Sequence, residues 1–168
     1  MTMTEVTYKN WSFKPNREET ARAYAAVKRA SAEESESIEG VNYAKQRDRV
    51  FPKEIKELFE ALGIDYKKEP EVSHYKELGN GEHLYTGWFH FKGSFDGPDY
   101  LDKISQENTE DKKEFNVFAI TKRFSIGFRN ESFLANFEDR SNLVQVEFEC
   151  IIPWVLDVEF EPEEIPED

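Results

Sequence analysis

Cysteine is almost absent from this sequence: Cys150 is the one thiol among 168 residues. A single thiol excludes an internal disulfide and a metal site built from several cysteines of one chain. Cys150 lies in the apolar run 144–152, and no base that would activate it as a nucleophile stands nearby in the sequence. We therefore predict a buried, inert thiol.

Positive charge is also scarce, since 22 Lys and Arg stand against 35 Asp and Glu, giving a formal net charge of −13. This charge repels nucleic-acid phosphates and anionic membranes, so neither is predicted as a partner. No stretch approaches the roughly 20 apolar residues that span a bilayer. Residues 1–11, MTMTEVTYKNW, lack the basic and apolar regions of a secretory signal. We expect a cytoplasmic protein whose favoured partner is a basic protein; its oligomeric state stays open.

The motifs of the common enzyme families are missing as well. The glycines at 79–81 and 93–97 do not match a phosphate-binding loop or a dinucleotide-binding turn. There is no His-Glu-x-x-His and no Gly-x-Ser-x-Gly. These absences exclude the motif-bearing families, though not enzymes in general, and no cofactor is predicted.

Aromatic residues are plentiful, with fourteen Phe, seven Tyr and three Trp, which is enough for a folded core. Helical patterns come first: one follows the N-cap Asn16 over about 17–30, and another follows Pro52 and ends at Gly63. Strand-like runs follow. This order predicts a single α+β domain over 1–168, with N-terminal helices packed on a mostly antiparallel sheet of four to six strands. An acidic tail from about 157 is expected to fray.

The stretch 71–95 reads as a β-hairpin around Gly79-Asn80-Gly81, and it holds all three histidines. Pairing Leu78 with His83 puts His74 and His83 on the core face. In that register they lie four positions apart, roughly 13 Å, too far to share a metal. The other face carries Tyr75, Trp88 and His90.

Two functions fit this hairpin. The first is a non-enzymatic acidic binding or regulatory protein, for example an immunity-type protein that neutralises a basic toxin, with Tyr75, Trp88 and His90 as the binding surface. The alternative is a small hydrolase or isomerase that uses His90 with Glu77 as an acid–base pair on the exposed sheet face. Because no nucleophile or oxyanion donor is identifiable, the sequence favours binding.

A cluster of carboxylates beside the Asp-Gly-Pro-Asp turn offers a second kind of site. Asp96, Asp99 and Asp102 have the short spacing that calcium ligands use. The spacing differs from the EF-hand loop and lacks its bidentate Glu. These three residues are the metal candidates, but no metal is predicted.

Several segments of the chain resemble an uncharacterised family of small bacterial domains of unknown function. These are FPKEIKELFEALGID at 51–65, EVSHY at 71–75, GEHLYTGWFHFKGSF at 81–95 and VEFECIIPWVLD at 146–157, so the resemblance covers about half to two thirds of the chain. Family members tend to carry a Cys pair before the Phe-Pro helix. Here that segment is VNYAKQRDRV, so a metal role there does not carry over. The resemblance implies a bacterial, cytoplasmic protein and no particular activity.

Overall fold

A computed structural model describes residues 4–99, 117–130, 137 and 139–162. This part of the chain contains four α-helices and seven β-strands. In chain order they are β1 (Val6–Tyr8), β2 (Trp11–Pro15), α1 (Arg17–Ala25), α2 (Ser31–Glu34), α3 (Ile38–Val50), α4 (Lys53–Leu62), β3 (Glu71–Gly79), β4 (Glu82–Asp96), β5 (Phe118–Thr121), β6 (Phe124–Arg129) and β7 (Leu143–Pro153), followed by a 3₁₀ turn at Val158–Phe160.

The strands form one sheet in the order β1-β2-β4-β7-β6-β5, and β3 also pairs with β4. Every pairing between the described strands is antiparallel. The predicted α+β class with an antiparallel sheet is confirmed. The aromatic and β-branched residues of 6–13 predict one short edge strand or an arm docked by Trp11 and Phe13. Residues 6–15 instead form two paired strands, so the described sheet has seven strands and not four to six.

Capping side chains set the starts of two helices. Asn16 accepts a hydrogen bond from the Glu19 amide at 3.1 Å, as the sequence predicted, and α1 then ends at Ala25, earlier than expected. Because it carries four Glu and few apolar residues, the stretch 31–40 is predicted to be a solvated loop or a frayed helix end. It contains α2 and the first turn of α3, because Ser37 accepts from the Gly40 amide at 3.0 Å and caps that helix.

The core lies between the helices and one face of the sheet. The helical spacing of Ile55, Leu58, Phe59 and Leu62 predicts one apolar stripe on α4, and all four are buried. The ring of Phe59 lies 5.0 Å from that of Phe89 on β4. Phe148 of β7 packs against the same Phe89 ring at 5.5 Å. Cys150 is buried as predicted, and burial raises the pKa of its thiol above the ordinary value.

One edge of β4 is shared by three elements. β3 pairs with residues 82–88, and β2 pairs with 93–96. In the gap, the Tyr24 hydroxyl donates to the His90 carbonyl at 3.1 Å and accepts from the His90 amide at 2.9 Å. The Thr20 hydroxyl accepts from the Lys92 amide at 2.9 Å. Side chains of α1 therefore satisfy backbone groups that a strand would otherwise pair.

Gly63, at the end of α4, lies against α1. It has a φ of 88°, and a Cβ there would lie 2.4 Å from the Arg17 carbonyl oxygen. Gly79 has a similar φ of 98°, but a Cβ at that position would meet no described atom within 4 Å. We expect Gly79→Ala to lower the free energy of unfolding by about 1–2 kcal/mol from backbone strain. Gly63→Ala should cost about 1–3 kcal/mol more, because the methyl group meets backbone. Urea denaturation of both variants measures the difference, and equal losses would contradict the close approach of α1 and α4.

None of the described helices is long and apolar enough to cross a membrane. Of the tail that is predicted to fray from about 157, the structure describes residues 157–162, so the fraying itself stays a prediction. The described chain continues through the 3₁₀ turn, and Glu161 contacts His83. Residues 163–168 lie outside the described part of the chain.

Candidate functional site

The hairpin of β3 and β4 forms around Gly79-Asn80-Gly81 as predicted, but its register is different. His74 pairs with Tyr85, and Glu77 pairs with His83. Two register shifts, one at Tyr75 and one at Leu78, insert an unpaired residue each into β3. Such bulges cannot be read from a regular alternation of side chains, which is why the pairing of Leu78 with His83 is wrong.

The two bulges bring His74 and His83 together. In the observed register they are diagonal neighbours, and His74 Nε2 lies 2.8 Å from His83 Nδ1. The predicted separation of roughly 13 Å, too far to share a metal, is therefore wrong. Both lie on the core face, as predicted, and the rings of Tyr85 and Trp154 pack against this pair.

Two carboxylates complete the cluster. Glu161, on the segment after β7, places Oε2 3.2 Å from His83 Nε2. Glu77 lies beside them and accepts a hydrogen bond from the Gly79 amide at 2.6 Å, which orients its carboxylate. One ligand atom from each of Glu77, His83 and Glu161 lies within 4.8 Å of the others. Among the described residues this is the one such group of three.

The His74–His83 contact has an electrostatic consequence. Burial lowers the pKa of His74, and the neighbouring His83 lowers it further. His74 is therefore held in its neutral form near neutral pH, where it has one nitrogen available as a hydrogen-bond acceptor.

His90 lies elsewhere and is fully buried, which contradicts its placement on an exposed face. Its Nε2 is 3.0 Å from Gln145 Oε1, and Gln145 donates to Glu147 at 2.6 Å. Arg129 lies 3.4 Å from the same carboxylate. The alternation of 143–152 predicts that Gln145, Glu147 and Glu149 face water, but Gln145 is buried in this network, and Glu147 and Glu149 are half-buried. Polar residues that alternate along a strand usually indicate a face exposed to water, but polar groups can also be buried when they are hydrogen-bonded.

The predicted acid–base pair is not assembled. Glu77 faces His83, seven residues from His90 along β4, which is roughly 23 Å. The three residues of the predicted binding surface differ in exposure: Tyr75 is exposed, Trp88 is half-buried and His90 is buried. Only Tyr75 of the three lies on open surface.

The exposed large apolar side chains of the described chain lie on three segments that meet near the end of the hairpin. The seven large ones that the described chain exposes come from the start of α3, the two bulges of β3, and the segment after β7: Ile38, Val41, Tyr75, Leu78, Val155, Val158 and Phe160. We call this set the hairpin-end patch.

Hydrogen bonds join these three segments. Asn42 of α3 accepts from the Val155 amide at 2.8 Å, and the Tyr85 hydroxyl donates to the Glu39 carbonyl at 2.7 Å. Glu161 reaches β4 at His83, as described above. The segments are therefore neighbours in the fold, although they lie far apart in the sequence.

The segments that carry the patch are acidic. Residues 36–42, 75–79 and 154–162 contain one basic residue, Lys76, and six carboxylates: Glu36, Glu39, Glu77, Asp157, Glu159 and Glu161. The combination of exposed apolar groups with carboxylates suits contact with a surface that is both apolar and basic.

The carboxylate cluster predicted beside the Asp-Gly-Pro-Asp turn is only partly described. Asp96 ends β4 and is exposed, and Asp99 follows the turn. Asp102 lies outside the described residues. That candidate metal site therefore stays a prediction.

Sequence reasoning missed the role of the C-terminal segment. The acidic composition predicts fraying, with the apolar residues Phe160 and Ile165 as the alternative signal that the tail is tethered to the fold. Nothing in the sequence links Glu161 or Trp154 to the hairpin.

Comparison with known proteins adds no assignment. No model of a known protein family matches the chain, and neither the curated proteins nor the solved structures give a significant match. The resemblance to a family of small bacterial domains therefore stays a prediction.

Proposed function

We propose that this chain is a non-enzymatic binding or regulatory protein that contacts a basic protein partner through the hairpin-end patch. The observation that carries the proposal is that the exposed large apolar side chains come from three segments that hydrogen bonds join near the end of the hairpin. Exposed apolar groups that cluster and carry a polar rim are typical of protein interaction sites.

The charge of the chain supports a basic partner. The formal net charge is −13, and six carboxylates lie in the segments that form the patch. Complementary charge speeds association and disfavours acidic competitors, while the apolar groups supply contact area. Tyr75 and Phe160 are 67% and 51% exposed, so they are the aromatic side chains best placed to anchor a partner.

An immunity-type protein that neutralises a basic toxin is one concrete form of this proposal. We also propose a cytoplasmic location, with which the buried free thiol of Cys150 is compatible. The hydrolase or isomerase alternative has less support, because His90 is buried and Glu77 lies at the other end of the paired strands.

Capture of partners from a lysate tests the proposal. The immobilised protein should retain a basic protein at about 50 mM salt and release part of it at about 150 mM, because salt screens the attraction between exposed charges. The double variant Val158→Ser, Phe160→Ser should no longer capture this protein at either salt concentration. Asp157→Asn with Glu159→Gln should mainly weaken the salt dependence.

A matched surface control is Ala25→Ser with Ala26→Ser, since both alanines are exposed at the end of α1 and lie outside the patch. This variant should capture the same protein as the wild type. If no basic protein is retained at either salt concentration, or if the patch variant retains it as well as the control does, the proposed function is wrong.

A further inference from the structure

We propose that Glu77, His83 and Glu161 form a binding site for a first-row divalent metal ion of the Zn²⁺ class. The three side chains come from β3, β4 and the segment after β7, so only the fold brings them together. The inference does not depend on the proposed protein partner, because metal binding is measured on the isolated chain.

The distances suit a metal ion of this size. Zn²⁺ bonds of about 2.0–2.1 Å in tetrahedral geometry place neighbouring ligand atoms roughly 3.3 Å apart. His83 Nε2 and Glu161 Oε2 are 3.2 Å apart, close to this value. All three ligand atoms lie within 4.8 Å of one another, so a small rotation of a carboxylate closes the remaining gap. Water supplies the fourth position.

His74 gives this arrangement the support that metal-bound histidines usually have. The His83 side chain is fully buried, and its Nδ1 lies 2.8 Å from His74 Nε2. With a metal on Nε2, the proton of His83 resides on Nδ1 and is donated to His74. A hydrogen bond of this kind fixes the ring orientation and the tautomer of a metal-bound histidine. His74 is therefore a positioning residue and not a ligand.

The donor set also selects the class of ion. Two carboxylates and one neutral imidazole carry two negative charges, which a divalent cation balances. Imidazole suits Zn²⁺ and its transition-metal neighbours, whereas Ca²⁺ takes six to eight oxygen ligands and Mg²⁺ prefers oxygen in octahedral geometry. Such an ion would join the C-terminal segment to the hairpin through Glu161.

Titration of the purified chain with Zn²⁺ and with Co²⁺ tests the proposal. We expect one site per chain by calorimetry and a visible Co²⁺ absorption band that Zn²⁺ removes by competition. Glu77→Gln and Glu161→Gln should each weaken binding at least about tenfold, because loss of a group that only supports a metal ligand already costs that much. Both carboxylates are only partly buried, so these variants avoid the risk of unfolding that attends a change of His83.

Glu159→Gln is the matched control, because it removes the same charge from an exposed carboxylate two residues before Glu161. It should bind Zn²⁺ as tightly as the wild type. Equal affinity in all three variants would show that the ion is held by the general negative charge, and the proposal would be wrong. Absence of a Co²⁺ band in the wild type would overturn it as well.

Discussion

Arg47→Met should lower the free energy of unfolding by about 3–5 kcal/mol at about pH 8, because it leaves a buried carboxylate without its cation. Arg47 Nε donates to Glu69 at 2.9 Å, and the same guanidinium also pairs with Glu33 of α2. Glu69 is 1% exposed and also accepts from the Ala32 amide at 3.1 Å. This ion pair therefore joins α3 to α2 and to the chain before β3.

The size of this loss should depend on pH. Burial raises the pKa of Glu69 to about 7, although Arg47 and the Ala32 amide oppose the rise. A carboxyl group whose pKa is higher in the folded state binds a proton more readily there, so its contribution to stability is present at low pH and is lost as the pH rises through about 7. At about pH 5.5 Glu69 can take up a proton. We therefore expect Arg47→Met to lower the free energy of unfolding by at least about 1 kcal/mol less than it does at about pH 8.

Two variants serve as controls for this prediction. Arg22→Met breaks an exposed i,i+4 pair with Glu18 and should cost less than about 0.5 kcal/mol. Adding Glu69→Gln to Arg47→Met removes the uncompensated charge and should recover part of the stability and most of the pH dependence. A loss that is the same at both pH values would contradict this description of the Arg47–Glu69 pair.

Tyr24→Phe should lower the free energy of unfolding by about 2–4 kcal/mol, because two buried backbone groups lose their hydrogen-bond partner. The Tyr24 hydroxyl serves both the amide and the carbonyl of His90, in the gap between β3 and β2. Tyr75→Phe, at an exposed position, is the control and should change the stability by less than about 0.5 kcal/mol.

Hydrogen exchange distinguishes this mechanism from a general loss of packing. In Tyr24→Phe the His90 amide should exchange faster, whereas amides on the part of β4 that pairs with β7, such as that of Phe89 opposite Val146, should change less. An unchanged relative protection of the His90 amide would show that the hydroxyl of Tyr24 does not hold this edge.

Much of the fold could be predicted because its signals are local. The N-cap at Asn16, the apolar stripe of α4 with its glycine cap, and the Asn-Gly turn of the hairpin each depend on residues a few positions apart. These signals indicated the helix order, the hairpin and the α+β class. The division of residues 6–15 into two strands was missed, because a tight turn at Lys9 and Asn10 carries no glycine.

The site could not be predicted, because it depends on register and on a distant segment. Two bulges at Tyr75 and Leu78 move His74 next to His83, and no periodic pattern marks a bulge. Glu161 comes from a stretch whose acidic composition indicated fraying. His90 was placed wrongly for a different reason. A polar residue on the second face of the sheet was expected to be exposed to water, but His90 lies in a buried network with Gln145.

The hairpin end combines two properties that can be tested separately. The apolar patch is expected to bind a basic partner, and the cluster of Glu77, His83 and Glu161 is expected to bind a metal ion. The patch and the metal cluster both include residues of the segment after β7. A bound ion would therefore also hold Val158 and Phe160 in a more fixed position within the patch. Partner binding that strengthens with Zn²⁺ in the wild type, but not in Glu161→Gln, would link the two.

We propose the hairpin-end patch as the surface that binds the partner. Calorimetric titration of the captured basic partner into the wild type and into the double variant Val158→Ser, Phe160→Ser measures what the apolar groups of the patch contribute. We expect the patch variant to bind at least about tenfold more weakly, a loss of about 1.4 kcal/mol, while Ala25→Ser with Ala26→Ser binds like the wild type. Equal affinity of the patch variant and the wild type, with both folded, would contradict the claim.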